Sequence, residues 1–241
     1  MATRTASNDI VFSQSQLPVD VTGMQSMASK MWAPFLIMGF MVVVVSFIIG
    51  IVNSGIASSY FEFSKLAREA ATTGQTLATQ KAWLESVTIW LPAFKFLGVG
   101  MLLGGVTFLL ATILGALRTG GGRVQEALGV EVRIIRPPMM AKVFPMFMMG
   151  MMILIVGLII AIVTATLSYG YWNHSIAAQL NPALEGSGLL ANLGTINAVK
   201  LWLEPFKFLG MASLFTGIGL ALATIVRVLR WQSSRLWDLL S

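Results

Sequence analysis

The chain contains no cysteine and a single histidine, His174. The first absence excludes disulfides, thiolate metal sites and cysteine nucleophiles. The second excludes any site within one chain that needs two imidazoles. Charge is also scarce: 11% of the 241 residues are Asp, Glu, Lys or Arg, against about 25% in a soluble domain. No Asp, Glu, His or Arg interrupts the centre of an apolar run. Proton and ion pathways use such residues, as do metal oxidases and intramembrane hydrolases. No catalytic residue, metal or cofactor is therefore expected.

What is present is apolar. Hydrophobic residues make up 56% of the chain and the mean hydropathy is +0.79, the composition of a polytopic membrane protein. The net charge of +6 then reads as basic residues gathered at the cytoplasmic ends of helices, with no nucleic-acid partner. Four apolar segments are predicted as membrane-spanning helices, at about 32–52, 94–117, 143–166 and 206–226, each of 21 to 24 residues. About 20 helical residues cross the hydrocarbon core, and backbone in lipid must satisfy its own hydrogen bonds. The residues before about 30 are polar and mixed, too late in reaching an apolar run for a signal peptide.

Orientation follows from the basic residues. Ten Lys and Arg lie in the N-terminal tail, the 118–142 loop and the C-terminal tail, against six in the other two loops and their flanks. Arg118 and Arg230 close the second and fourth segments on the same side. Both termini are placed in the cytoplasm, with the cytoplasmic membrane of a prokaryote as the expected location. All seven tryptophans fall at or beyond the ends of the apolar runs, as an aromatic belt would.

The chain is written twice. Trp90-Leu-Pro-Ala-Phe-Lys-Phe-Leu-Gly98 recurs as Trp202-Leu-Glu-Pro-Phe-Lys-Phe-Leu-Gly210, and Leu110-Ala-Thr-Ile113 recurs as Leu222-Ala-Thr-Ile225, all 112 residues apart. Pro34, Gly39 and Tyr60 match Pro145, Gly150 and Tyr171 at 111. The unit is helix, long outer loop, helix. Two helices return the chain to its starting side, so the repeats run parallel, about an axis along the membrane normal. The expected fold is an all-α integral membrane protein: a polar tail (1–31), a first repeat (32–118), a basic cytoplasmic loop (119–142), a second repeat (143–230) and a C-terminal tail (231–241). Leu77, Leu84, Val87 and Leu91, and in the second copy Leu189, Leu193, Ile196 and Val199, predict a short amphipathic helix in each outer loop.

Candidate residues fall into three groups. Gly100 and Gly104 form a GxxxG, with Ser213 and Gly217 as the corresponding row in the fourth segment and Gly98 and Gly210 closing the motif; small residues let helix backbones approach. Thr112 and Thr224 are expected to bond back to a carbonyl one turn earlier. Lys95 and Lys207 have two readings: paired cations for an anionic ligand or lipid head, or lysines snorkelling at a membrane boundary. Met139, Met140, Met146, Met148, Met149, Met151 and Met152 offer thioethers that suit Cu(I), but consecutive helical positions point apart. Thr119-Gly-Gly-Gly122 lacks the Lys-Ser/Thr of a phosphate loop and reads as a helix stop. Arg133-Ile-Ile-Arg-Pro-Pro138 reads as a stiff, basic approach to the third helix that contacts anionic lipid.

These residues point first to a non-catalytic accessory or structural subunit of a membrane assembly. It would act through helix packing and outer-loop contacts, with membrane lipids, other membrane subunits or copies of itself as partners. The alternative is a small transporter or channel with its site at the repeat interface. A third is a copper-handling protein using the methionines and His174.

Overall fold

The computed structural model describes residues 10–13, 19–181 and 188–240. Among the described residues, six helices and two short strands follow in the order β1 (Ile10–Ser13), α1 (Val19–Phe61), α2 (Lys65–Glu69), α3 (Thr76–Ala127), β2 (Arg133–Arg136), α4 (Met140–Trp172), α5 (Ile176–Leu180) and α6 (Gly188–Leu240). Four of the helices, α1, α3, α4 and α6, are long and apolar enough to cross a membrane. Each carries one proline in its interior, Pro34, Pro92, Pro145 and Pro205 in turn. Proline removes one backbone donor, a loss that neighbouring helices make tolerable in membrane spans.

The helices are longer than the apolar runs. Thr76–Leu91, expected as a separate amphipathic helix, is the first part of α3 and continues without a break. Residues 188–199 likewise open α6. The reason is packing. Leu189 and Ile196 belong to one buried cluster with Ile89, Ala93, Ala161, Ala165 and Leu203, with Leu193 and Val199 packed against it. In the first copy Val87 and Leu91 are buried, so much of the face that hydropathy assigns to an interface is a core face. The short helices in these loops are instead α2 and α5. Each starts at a serine cap, Ser64 and Ser175, whose hydroxyl accepts from the amide of Ala67 or Ala178, meeting one of the orphan donors of a first turn.

The chain divides into two compact units. One comprises Gly39–Gly100 and Met151–Met211 and contains the cluster above together with α2 and α5. Its two loops touch: the Ser175 amide donates to Thr73 Oγ1 at 3.0 Å, and the Gly74 amide to the Asn173 carbonyl at 3.4 Å.

The other unit comprises Met1–Met38, Met101–Gly150 and Ala212–Ser241. Leu114, Ile135, Ile225 and Val228 form its buried cluster, with Leu110, Leu117, Met140 and Trp231 packed on it. Two expectations are corrected here. Thr119-Gly-Gly-Gly122 does not stop a helix. Gly121 faces the Gln232 side chain of α6, whose Nε2 donates to the Leu117 carbonyl at 2.9 Å, and α3 runs on to Ala127. The stop is at Gly129, with φ +69°, the left-handed conformation in which a helix commonly ends. Second, the stiff, basic approach to the third helix is in part a strand, Arg133–Arg136, paired antiparallel with Ile10–Ser13 so that Ile10 lies opposite Arg136 and Ser13 opposite Arg133. Gln125 fixes its start, donating to the Arg133 carbonyl at 3.1 Å and accepting from its amide at 2.8 Å. Arg118, buried, donates to the Ile135 carbonyl at 3.1 Å. The polar tail is thus partly structured: helix from Val19 and strand over Ile10–Ser13, while residues 1–9 and 14–18 lie outside the described residues.

Candidate functional site

The helix-packing glycines act within the chain. A Cβ on Gly98 of α3 would lie 2.9 Å from Val42 Cγ1 and 3.0 Å from Val43 Cγ2 of α1. One on Gly210 of α6 would lie 3.0 Å from both Ile153 Cγ2 and Leu154 Cδ2 of α4. At Gly98 a Cβ would be closer than real ones stand, and at Gly210 it would require its neighbours to give by a few tenths of an ångström, so glycine lets these backbones approach. Gly104 is buried among aromatic rings, with Phe147 Cε2 at 2.8 Å and Phe35 Cδ1 at 3.1 Å from a Cβ there. The rings of Phe35, Phe108 and Phe147 meet edge-on or tilted, with centroids 5.0 to 6.1 Å apart. Gly100 and Ser213 are buried.

A tighter approach than at Gly98, Gly104 or Gly210 lies at a residue that the GxxxG reading passes over. At Gly105 a Cβ would lie 2.6 Å from Leu36 Cγ and 3.0 Å from the Leu36 backbone nitrogen. The partner of Gly217 at the 112-residue spacing is Gly105, not Gly104. Gly217 itself is looser, with nothing nearer than 3.6 Å, the Met146 Cβ and the Val143 carbonyl oxygen. The signal was available: Gly98 and Gly105 are seven apart, two helical turns, and so share a face.

The two lysines of the repeated motif have unlike surroundings. Lys95 is exposed. Lys207 is 2% exposed, its Nζ 2.7 Å from Glu204 Oε1 and 5.2 Å from the centroid of the Phe96 ring. Its stem passes Gly157 on α4, with Lys207 Cγ at ordinary contact distance, 3.6 Å, from where a Cβ would stand. Glu204 occupies the place of Pro92 in the first copy, so the first copy has no carboxylate one turn before its lysine. The lysines do not form a symmetric pair of free cations.

The threonine expectation holds: Thr112 Oγ1 donates to the Phe108 carbonyl at 2.9 Å and Thr224 Oγ1 to the Leu220 carbonyl at 2.7 Å. The methionines do not converge. Met139, Met148, Met149 and Met152 are exposed, whereas Met140 packs on the core. The backbone carbonyl of His174 accepts from Gln179 Nε2 at 2.8 Å. No group of three His, Asp or Glu side chains fit to hold a metal occurs among the described residues.

A site that sequence reading missed lies where α1 ends. A cavity of about 500 Å³ opens between Asn53 and Tyr60 of α1, Arg68 of α2, and Lys81 and Glu85 of α3. The guanidinium of Arg68 rests on Tyr60 and Phe61, 5.1 and 4.8 Å from their ring centroids, and Lys81 Nζ is 4.2 Å from that of Trp172. Nothing in the spacing of these charges along the chain shows that α2 folds back over the start of α3.

The fold so described is a helical protein with four segments suited to crossing a membrane. No protein-family model, curated protein or solved structure matches the chain.

Proposed function

We propose that this chain is a non-catalytic accessory or structural protein of a membrane assembly, built as two parallel two-helix repeats. The observation that carries the reading is how the apolar surface is divided. Glycines 98, 104, 105 and 210 lock the chain's own helices together, yet wide apolar faces remain uncovered. The most apolar window of α1 is only 11% buried, against 33 to 39% in the other three spans, and Ile37, Phe40, Met41, Phe47 and Ile48 are exposed along it. In lipid such a face is also available to another membrane helix, held by close packing rather than by hydrophobic drive. Another membrane subunit or a second copy is the partner class, and lipid covers the rest.

Support for the repeat comes from matching local geometry. Val42 and Val43 against Gly98 correspond to Ile153 and Leu154 against Gly210, at the spacings of the sequence repeat. Ser64 and Ser175 cap equivalent five-residue helices with nearly equal backbone angles. Trp90 meets Phe94 as Trp202 meets Phe206, with ring centroids 6.0 and 5.7 Å apart.

The test is the mass of the protein purified in mild detergent, with identification of co-purifying chains. A stoichiometric complex or a defined homo-oligomer is expected; a bare monomer under several detergents refutes the reading. Orientation, with both termini in the cytoplasm of a prokaryotic cell, rests on the Lys and Arg bias. In intact cells an impermeant thiol reagent is expected to label Glu62→Cys and not Glu126→Cys or Ser234→Cys, and the opposite pattern reverses it. The transporter or channel reading has one observation in its favour, the buried Lys207 beside Glu204, since an ionisable group inside a span marks a functional site by default. Solute flux in liposomes that is lost in Lys207→Met would replace the first reading with this one.

A further inference from the structure

We propose that the cavity between α1, α2 and α3 binds a phosphate group carried by an anionic amphiphile, with Arg68 and Lys81 as its cationic ligands.

The charge balance of the cavity leads there. Its two carboxylates are engaged: Glu69 lies 3.7 Å from Lys65, and Glu85 lies 3.8 Å from Lys200. Arg68 and Lys81 remain. Neither has a carboxylate within 4 Å among the described residues, and each is held instead against aromatic faces. An aromatic face positions a cation without neutralising it. Two positive groups are thus held at one cavity with no carboxylate in direct contact with either among the described residues, Glu85 and Glu69 acting on Lys81 only at longer range. Arg68 Nε is in addition buried without a hydrogen-bond partner. A buried donor left unpaired is costly, and an acceptor oxygen from outside would meet it. Guanidinium and ammonium together match the oxygens of a phosphate, the first as a planar fork and the second as a point charge. The rest of the wall fits an amphiphile, since Ala57, Tyr60, Phe61, Leu84 and Ile176 line the same space.

The second copy is an internal control. It keeps the scaffold: the serine cap, the five-residue helix, and a tyrosine followed by a further aromatic residue, with Tyr60 and Phe61 matched by Tyr171 and Trp172. The charges are not kept. Lys65, Arg68, Glu69, Lys81 and Glu85 correspond to Ile176, Gln179, Leu180, Leu193 and Asn197. The same local fold therefore forms without them, and holding the loop together does not account for the charged set. This inference is independent of whether the protein is an accessory subunit.

The test uses the full chain in a neutral detergent, titrated with dioctanoyl phosphatidylglycerol, dioctanoyl phosphatidylcholine or glycerol 3-phosphate. Binding is read by native mass spectrometry and by the rise in melting temperature. The anionic lipid is expected to bind more tightly than the zwitterionic one. Arg68→Gln with Lys81→Gln is expected to weaken it by at least about tenfold, as loss of charge-assisted hydrogen bonds should, whereas Arg123→Gln, at an exposed cation outside the cavity, leaves it unchanged. Glycerol 3-phosphate binding as tightly as the lipid, and lost in the same variant, also supports the site and names a soluble phosphate ester as the source. Equal binding of the two lipids, or undiminished binding by the double variant, overturns the proposal. If the double variant does not fold, Lys81→Gln alone carries the test under the same criterion.

Discussion

Adding one methyl group at Gly105 tests the packing most directly. Gly105→Ala carries two opposed effects. Alanine is better than glycine in a helix by about 1 kcal/mol. Against this, the new Cβ would stand 2.6 Å from Leu36 Cγ and 3.0 Å from the Leu36 backbone nitrogen. The side chain can swing away, but the backbone nitrogen moves only if α1 shifts, so the cost falls toward the upper end of the roughly 1–3 kcal/mol typical of overpacking. The net expectation is a loss of about 2 kcal/mol, which for a chain of this size lowers the melting temperature by roughly 4–8 °C. Gly217→Ala is the matched control, because its nearest neighbours stand at ordinary contact distance, 3.6 Å. It is expected to be neutral or to raise the melting temperature by up to about 4 °C, from helix propensity alone. Gly50→Ala, with nothing within 4 Å, should behave the same way. The assay is the soluble monodisperse fraction after heating in detergent, read by size-exclusion chromatography. If Gly105→Ala melts with or above Gly217→Ala, α1 does not approach α3 as described.

Two further expectations concern polar groups. Removing Glu204 leaves Lys207 buried without its partner, so Glu204→Ala should lower the melting temperature more than Lys207→Met, which leaves only a half-exposed carboxylate; the reverse order would show that Lys207 reaches solvent or headgroups. Gln125→Leu strands the amide and carbonyl of Arg133, both held by Gln125 alone among side chains described, and should cost about 1–3 kcal/mol. Hydrogen exchange at Arg133–Arg136 is the measurement, and unchanged protection there would contradict the pairing.

Hydropathy and spacing reveal the four spans and the duplicated motif, because a run of some 20 apolar residues and a repeated nine-residue stretch are both local signals. Helix boundaries are not local in this chain. Thr76–Leu91 and the glycine triplet after Thr119 carry marks of a separate helix and of a stop. What overrides them is contact with distant residues: Leu189 and Ile196 in one case, Gln232 in the other. A four-residue spacing on a single helix does not mark Gly105, because its fit is to Leu36, some seventy positions earlier. The lysine motif misled in the opposite direction. Identical residues at Lys95 and Lys207 suggest identical roles, but a single difference upstream, Glu204 for Pro92, gives one a partner that the other lacks. Arg68 and Lys81 were illegible as a pair because α2 brings them together only by folding over α3.

Gly121 and Gln232 bear on how this sequence can drift over evolutionary time. The glutamine amide occupies the space that any side chain at position 121 would need, and it donates to a carbonyl in the turn before. Neither residue can change freely while the other stays. Among descendants of this gene, a side chain larger than hydrogen at 121 should appear only with a shorter residue at 232. The two positions should therefore covary, although 111 residues separate them. An independently sampled set of related chains in which they vary without correlation would show that this contact places no constraint on the lineage.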